Sequence, residues 1–223
     1  MAGFLVMTSD TENNQLKTLI AETQSVAIVA SPNAGLDGLY AALALRDLLL
    51  SQGKMVAVSF PGPLPEEIKA MPEASEISDH LTESTLVLTL DTGGKKVEKL
   101  SYWAEGKAFN ISIHPLPRNF DPLAIKSNLQ QRRLDLLIIL GARRLADLGN
   151  FFEQNRREFE TSAVLNLDWH LENSRFGTID VIDDQSKSLC EMLFIKLSQW
   201  NWRPTPSAAK FLALGLTLAL KNA

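Results

Sequence analysis

Apolar positions follow two rhythms along the chain. Residues 25–30, 55–60, 85–90, 134–140 and 163–167 are short runs with few polar interruptions. They read as strands covered on both faces, because a strand with one wet face would alternate. Between them the spacing is helical. Leu16, Leu19 and Ile20 mark a short amphipathic helix over 11–23, and residues 39–51 form a strongly apolar helix stopped by Gly53. A short helix is predicted over 66–71. Another opens over 143–149 and continues its apolar face in Phe151, Phe152 and Phe159. A strand over 177–183 and helices over 186–200 and 207–220 complete the pattern, with Thr205 or Ser207 able to cap the last helix.

The strand-loop-helix-strand order across residues 25–60 is a βαβ unit, which implies a parallel sheet with right-handed crossovers. The predicted class is therefore α/β: a mostly parallel, Rossmann-like, doubly wound sheet with helices on both faces. One stretch breaks the rhythm. Residues 99–104 and 107–113 flank Glu105-Gly106 and carry Tyr102, Trp103, Phe109 and Ile111. That is a β-hairpin signal. It is predicted as an insertion over 95–120 in a single domain spanning residues 1–223.

Composition narrows the classes. A net charge of -4 gives no general attraction to nucleic acid. The longest apolar run, residues 211–220, is about half the roughly 20 residues that a membrane span needs. Residues 3–7 are too short for a signal-peptide core, so no membrane association is expected. Cys190 is the only cysteine, which excludes an internal disulfide and a cysteine-based metal site and points to the cytoplasm. Its neighbours do not activate a thiol, so it is expected in the core. His114 has no ligand partner at useful spacing and reads as a surface residue. Arg132 and Arg133 form a basic pair, either a contact or a solvated element end.

The chemistry concentrates in residues 165–177, Leu-Asn-Leu-Asp-Trp-His-Leu-Glu-Asn-Ser-Arg-Phe-Gly. An apolar run ends in Asp168, Trp169 and His170, and Asn173 and Arg175 follow. Polar residues at the C-terminal mouth of a buried strand stand where open α/β sheets place their ligands. The loop at 31–38 lacks the glycine spacing and the lysine of a nucleotide phosphate loop, which ranks dinucleotide-dependent redox or methyl-transfer chemistry last. Asp37 precedes an apolar helical run, and its plain reading is a helix N-cap. Asp91, in Asp-Thr-Gly-Gly, reads plainly as a turn residue.

Together these stretches resemble the DHH phosphoesterases, the superfamily of RecJ-type nucleases, nanoRNases and manganese pyrophosphatases. Their signature is Asp-His-His with Asn three residues later; here it is Asp168-Trp169-His170 with Asn173. Residues 31–38, followed by Ala42-Leu43-Ala44-Leu45, resemble the first family motif and put its metal-binding positions at Ser31, Gly35 and Asp37. The second-motif Asp falls on Gly141 by order of elements and on Asp91 by local wording. A last ligand position, anchored on Thr205-Pro206 and Gly215, falls on Ala219. In the family two metals activate a water and clamp the phosphoryl oxygens.

The resemblance implies a metal set reduced to Asp37, Asp91 and Asp168, since an indole is a donor only and cannot ligate. It implies substrate contacts from His170, Asn173 and Arg175. The expectation is a phosphoesterase-like domain without catalysis and without a metal cofactor. Its crevice binds a nucleotide or phosphorylated small molecule, or it serves as a protein-partner module. The alternative is a working phosphoesterase or oligoribonuclease using Mn2+ or Mg2+, with Asp168 and His170 catalytic and a site rebuilt from Asp37, Asp91, Asp168, His170 and Asp183. The resemblance also implies that the family's C-terminal substrate-binding domain is absent, and an apolar face on the last helix would suit a homo-oligomer.

Overall fold

The computed structural model describes residues 9–81, 84–94, 96–131 and 133–221. In chain order the elements are α1 (Ser9–Glu22), β1 (Ser25–Ala30), α2 (Gly35–Ser51), β2 (Met55–Ser59), α3 (Glu66–Lys69), β3 (Ile77–Ser78), β4 (Ser84–Thr89), β5 (Lys99–Glu105), β6 (Ala108–His114), β7 (Lys126–Gln131) and β8 (Leu136–Leu140). They continue with α4 (Asn150–Gln154), α5 (Arg156–Thr161), β9 (Ala163–Asp168), β10 (Ile179–Ile182), α6 (Leu189–Gln199) and α7 (Pro206–Lys221). The chain divides into two compact units, residues 1–82 with 133–223, and residues 83–132.

The first unit holds a six-stranded sheet in the order β10-β9-β8-β1-β2-β3. Every pairing in it is parallel, with Val26 opposite both Val56 and Leu136. The chain runs from β1 out to one edge, returns to lay β8 against the other side of β1, and runs out to the opposite edge. This is the doubly wound order of open α/β sheets, as the pattern of apolar runs predicts. It creates a switch point between β1 and β8, where the loops leave the sheet in opposite directions.

Two layers of side chains bury the sheet. Val26, Ile28 and Ala30 of β1 join a core with α1, α2, α6 and α7. Ala27 and Val29 face the other way, onto Leu137, Ile139, Leu148, Phe151 and Phe159. Successive strand residues point to opposite faces, so a strand covered on both sides is apolar throughout. Each such Leu, Ile or Phe contributes roughly 1.5–3 kcal/mol by burial. α7 packs along α2 and α6, and Thr205 Oγ1 caps it by accepting the Ala208 N–H at 3.0 Å. A Cβ at Gly215 would fall inside the Cys190 side chain, so only glycine lets these helices approach. Cys190 is the core thiol expected: burial pushes its pKa well up.

Three expectations need correction. Residues 143–149 do not open a long helix. Asp147 Oδ2 accepts the N–H groups of Arg143 and Arg144 at 3.0 and 3.3 Å, tying a 3-10 turn over Leu145–Leu148. Residues 85–90 were expected in the parallel sheet, but β4 pairs antiparallel with β7, Leu88 opposite Ser127. The segment between Ser78 and Ser84 is too short for a parallel crossover, which takes roughly a dozen residues or more. The predicted hairpin forms as β5 and β6, but its unit extends over 83–132 rather than 95–120. Arg133 is exposed, whereas Arg132 and residues 3–7 lie outside the described residues. Among the described residues no helix is long and apolar enough to cross a membrane.

Candidate functional site

The loops leaving β1, β8 and β9 meet at the switch point and line two adjoining depressions that share Asn33 and His170. Gly141, Arg143, Arg144, Asp147, Glu172 and Ser174 complete the first. Ala34, Asp37, Trp169, Lys187, Ser188, Leu218 and Ala219 complete the second.

Asp168 ends β9 and is fully buried. Its Oδ1 accepts the Trp169 N–H at 2.9 Å and faces His170 Nδ1 at 2.8 Å. Its Oδ2 accepts from Asn173 Nδ2 at 2.8 Å. A carboxylate at Nδ1 selects the tautomer with its proton there, which leaves Nε2 as the free ring nitrogen. The His170 ring also stacks on Trp169, 4.1 Å between centroids at 31°.

Asn173 is buried and acts inward. It donates to the Ala142 carbonyl at 2.9 Å, and its Oδ1 accepts from Asn166 Nδ2 and from the Arg175 N–H, both at 2.8 Å. Asn166 Nδ2 also reaches Asp180 Oδ1 at 2.7 Å, and that oxygen accepts the Gly177 N–H at 3.0 Å. The network fixes the loop after β9 and holds Arg175 at φ 53, in the left-handed region that costs a non-glycine residue about 1 kcal/mol or more. Asn173 thus spends its side chain on the chain itself, and Arg175 is exposed and lines neither depression.

Asp37 is not the N-cap of its own helix. It sits in the first turn of α2 and turns its carboxylate to the start of α6, accepting the Leu189 N–H at 2.6 Å and the Cys190 N–H at 3.1 Å. Ser188 Oγ accepts the Glu191 N–H at 3.1 Å, so the α6 terminus is satisfied within the chain. Burial raises the Asp37 pKa from its ordinary value of 3.8, against the lowering effect of those N–H donors.

The positions singled out by the family resemblance converge in part. Asp37, Trp169 and Ala219 line one depression and Gly141 lines the other. Ser31 is buried beside them, its Oγ accepting the Asn33 N–H at 3.3 Å. Gly141 leaves no room for a side chain. Its φ is +66, and a Cβ there would meet Ala34 Cβ at 2.6 Å and Leu189 Cδ1 at 2.9 Å. Asp183 accepts the Gln185 N–H at 3.2 Å and lies 3.5 Å from Lys196 Nζ. Asp91 belongs to the unit of residues 83–132, where its Oδ1 accepts the Gly93 N–H at 2.8 Å and closes a turn. Among the described residues no three His, Cys, Asp or Glu side chains are grouped to hold a metal ion. A pair of divalent cations needs a dense cluster of carboxylates and imidazoles.

Asn33, Arg143, Arg144 and Lys187 line the crevice and were not among the residues picked from sequence. A usable signal existed for two of them: Arg143 and Arg144 follow the most apolar strand just as Asp168 and His170 follow its neighbour. Arg144 Nε pairs with Asp147 at 3.2 Å in solvent, a contact of little energetic weight. The Arg143 guanidinium makes no hydrogen bond or ion pair among the described residues; its carbonyl accepts the Ser174 N–H at 2.8 Å.

No family model matches the sequence, and no curated protein matches it. Among solved structures, the chain is similar to an exopolyphosphatase-related protein from Bacteroides fragilis, with a TM-score of 0.63 and 15% identity. The likeness covers 97% of this chain and 52% of that one, so the chain spans about half the length of the solved structure. At that identity the likeness is one of fold, and it agrees with the α/β architecture seen here.

Proposed function

We propose that this chain is a phosphoesterase-like domain whose switch-point crevice binds a phosphorylated ligand, a nucleotide or small phosphorylated molecule, without two-metal hydrolysis. The fold it shares with an exopolyphosphatase-related protein and the motif resemblance around Asp168-Trp169-His170 support the phosphoesterase side of this reading. The observation that carries the rest is a division of labour. Asp37 and Asp168 spend their carboxylate oxygens on donors of the chain itself, while the Arg143 guanidinium on the lining has no partner among the described residues. A guanidinium fork matches phosphate oxygens in pairs and stays charged at any working pH. His170 Nε2 on the adjoining wall supplies a second polar contact, and Lys187 a further positive charge. Asn173 and Arg175 shape the loop that presents His170. The reading places the protein in the cytoplasm, where such ligands are abundant.

Calorimetric titration with 5′-AMP and with pyrophosphate, in EDTA, tests this. Binding without metal, weakened about tenfold by Arg143→Ala, is expected, because a charge-assisted contact contributes about 1.4 kcal/mol or more. Binding that appears only when manganese is added would sink the reading.

A further inference from the structure

The ribbon of β5 and β6 is a two-stranded antiparallel sheet joined at Gly106, with no third strand among the described residues. Leu100, Tyr102, Phe109 and Ile111 share one face, since Tyr102 lies opposite Ile111 and Ala104 opposite Phe109. Tyr102 and Phe109 stack at 5.8 Å between centroids, yet remain 68% and 66% exposed, and Leu100 is 61% exposed. Among the described residues, no apolar side chain of the unit 83–132 is buried. Two strands alone are marginal in water; three or more with a covered apolar face are needed for independent stability.

The sequence of β5 says what the partner is. It reads Lys99-Leu-Ser-Tyr-Trp-Ala-Glu105, with opposite charges at its two ends around a central Tyr102. Lay a second β5 antiparallel to the first, with a two-fold axis at Tyr102. Lys99 then stands opposite the partner's Glu105, and Glu105 opposite the partner's Lys99. Neither side chain is ion-paired among the described residues, so both are free to make these contacts. The same operation on β6, about Ile111, sets Ala108 against His114 and gains no charge pair. Opposite charges directly across an antiparallel pair are favourable and like charges unfavourable.

We propose that the chain self-associates through β5, forming a four-stranded antiparallel sheet β6-β5-β5-β6 across a two-fold axis. The contact is isologous, so each substitution acts twice. It also pairs the open edge of β5, which as a bare strand edge would invite uncontrolled pairing. Nothing in it depends on the crevice or its ligand.

Sedimentation velocity on the full chain, from about 1 to about 100 µM, reads the dimer dissociation constant directly. Lys99→Glu and Glu105→Lys, each alone, place like charges opposite one another and should weaken the dimer by about tenfold or more. The double variant K99E/E105K swaps both ends, restores complementarity and should return to within about threefold of the starting chain. Both positions are exposed, so folding is not at stake. A starting chain monomeric throughout the range overturns the proposal. So do single variants that dimerise normally, as they would in a face-to-face stack of the apolar surfaces, and a double variant that stays dissociated.

Discussion

At the floor of the crevice Asp37, and beneath it the fully buried Asp168, are ringed by donors from the chain itself; on its rim the exposed Arg143 and Lys187 face no ion-pair partner among the described residues. Both regions are made of charged side chains at the ends of buried elements, so composition alone does not separate them. What separates them is burial. Below the surface each carboxylate oxygen must be matched by a donor, because an unmatched buried polar group costs about 1–3 kcal/mol. Above it, a guanidinium stays hydrated and loses little by waiting for a ligand. In the proposed reading the floor serves the fold and the rim serves binding, and variants in the two places should fail differently.

The largest effect is expected from an attempt to rebuild a ligand at the floor. Gly141→Asp would put a carboxylate at the position that the motif resemblance assigns to a metal ligand, but at φ +66 and with Ala34 Cβ 2.6 Å away it should cost about 3–4 kcal/mol. Denaturant melts check this; a stable variant that gained metal affinity would erase the distinction between floor and rim. Asp168→Ala strips partners from His170, Asn173 and the Trp169 N–H, and should cost about 3 kcal/mol in the same assay.

A smaller, pH-dependent effect follows from Asp37. Its folded pKa is raised above 3.8, so its protonated form is favoured by folding. The stability this provides is full below 3.8 and is lost as pH rises through the folded value. Asn at this position does not titrate. Asp37→Asn should therefore gain on the wild type between acid and neutral pH. A constant difference across that window would mean that burial does not govern this carboxylate. The smallest effect belongs to the rim: Arg143→Ala should move stability by less than about 0.5 kcal/mol while weakening phosphate binding.

The fold was legible because a doubly wound sheet leaves a strong trace. Residues 26–30 and 136–140 are apolar throughout since both faces are covered, and that is visible in one dimension. The strand at 85–90 carries much the same wording but sits in a different sheet. What decides its partner is the length of the preceding connection rather than its own residues. The site was half legible. Asp168 and His170 could be found because a polar cluster ends a buried strand. The capping of α6 by Asp37 could not, because the two helices are about 150 residues apart in sequence and only packing brings them together. The inward hydrogen bonds of Asn173 were not legible, because hydrogen bonding inside a loop and hydrogen bonding to a ligand use the same side chains. Arg143 was passed over because it seemed to begin a helix, which the Asp147 turn replaces.

The central proposal is a crevice that binds a phosphorylated ligand without a metal pair, and a manganese titration monitored by electron paramagnetic resonance, alongside hydrolysis of a short oligoribonucleotide and of pyrophosphate, meets it head on. The expected result is no tight manganese binding and no turnover above the metal-only blank, with 5′-AMP or pyrophosphate still bound in EDTA. Two tightly bound manganese ions per chain, with turnover abolished by Asp168→Ala, would contradict it.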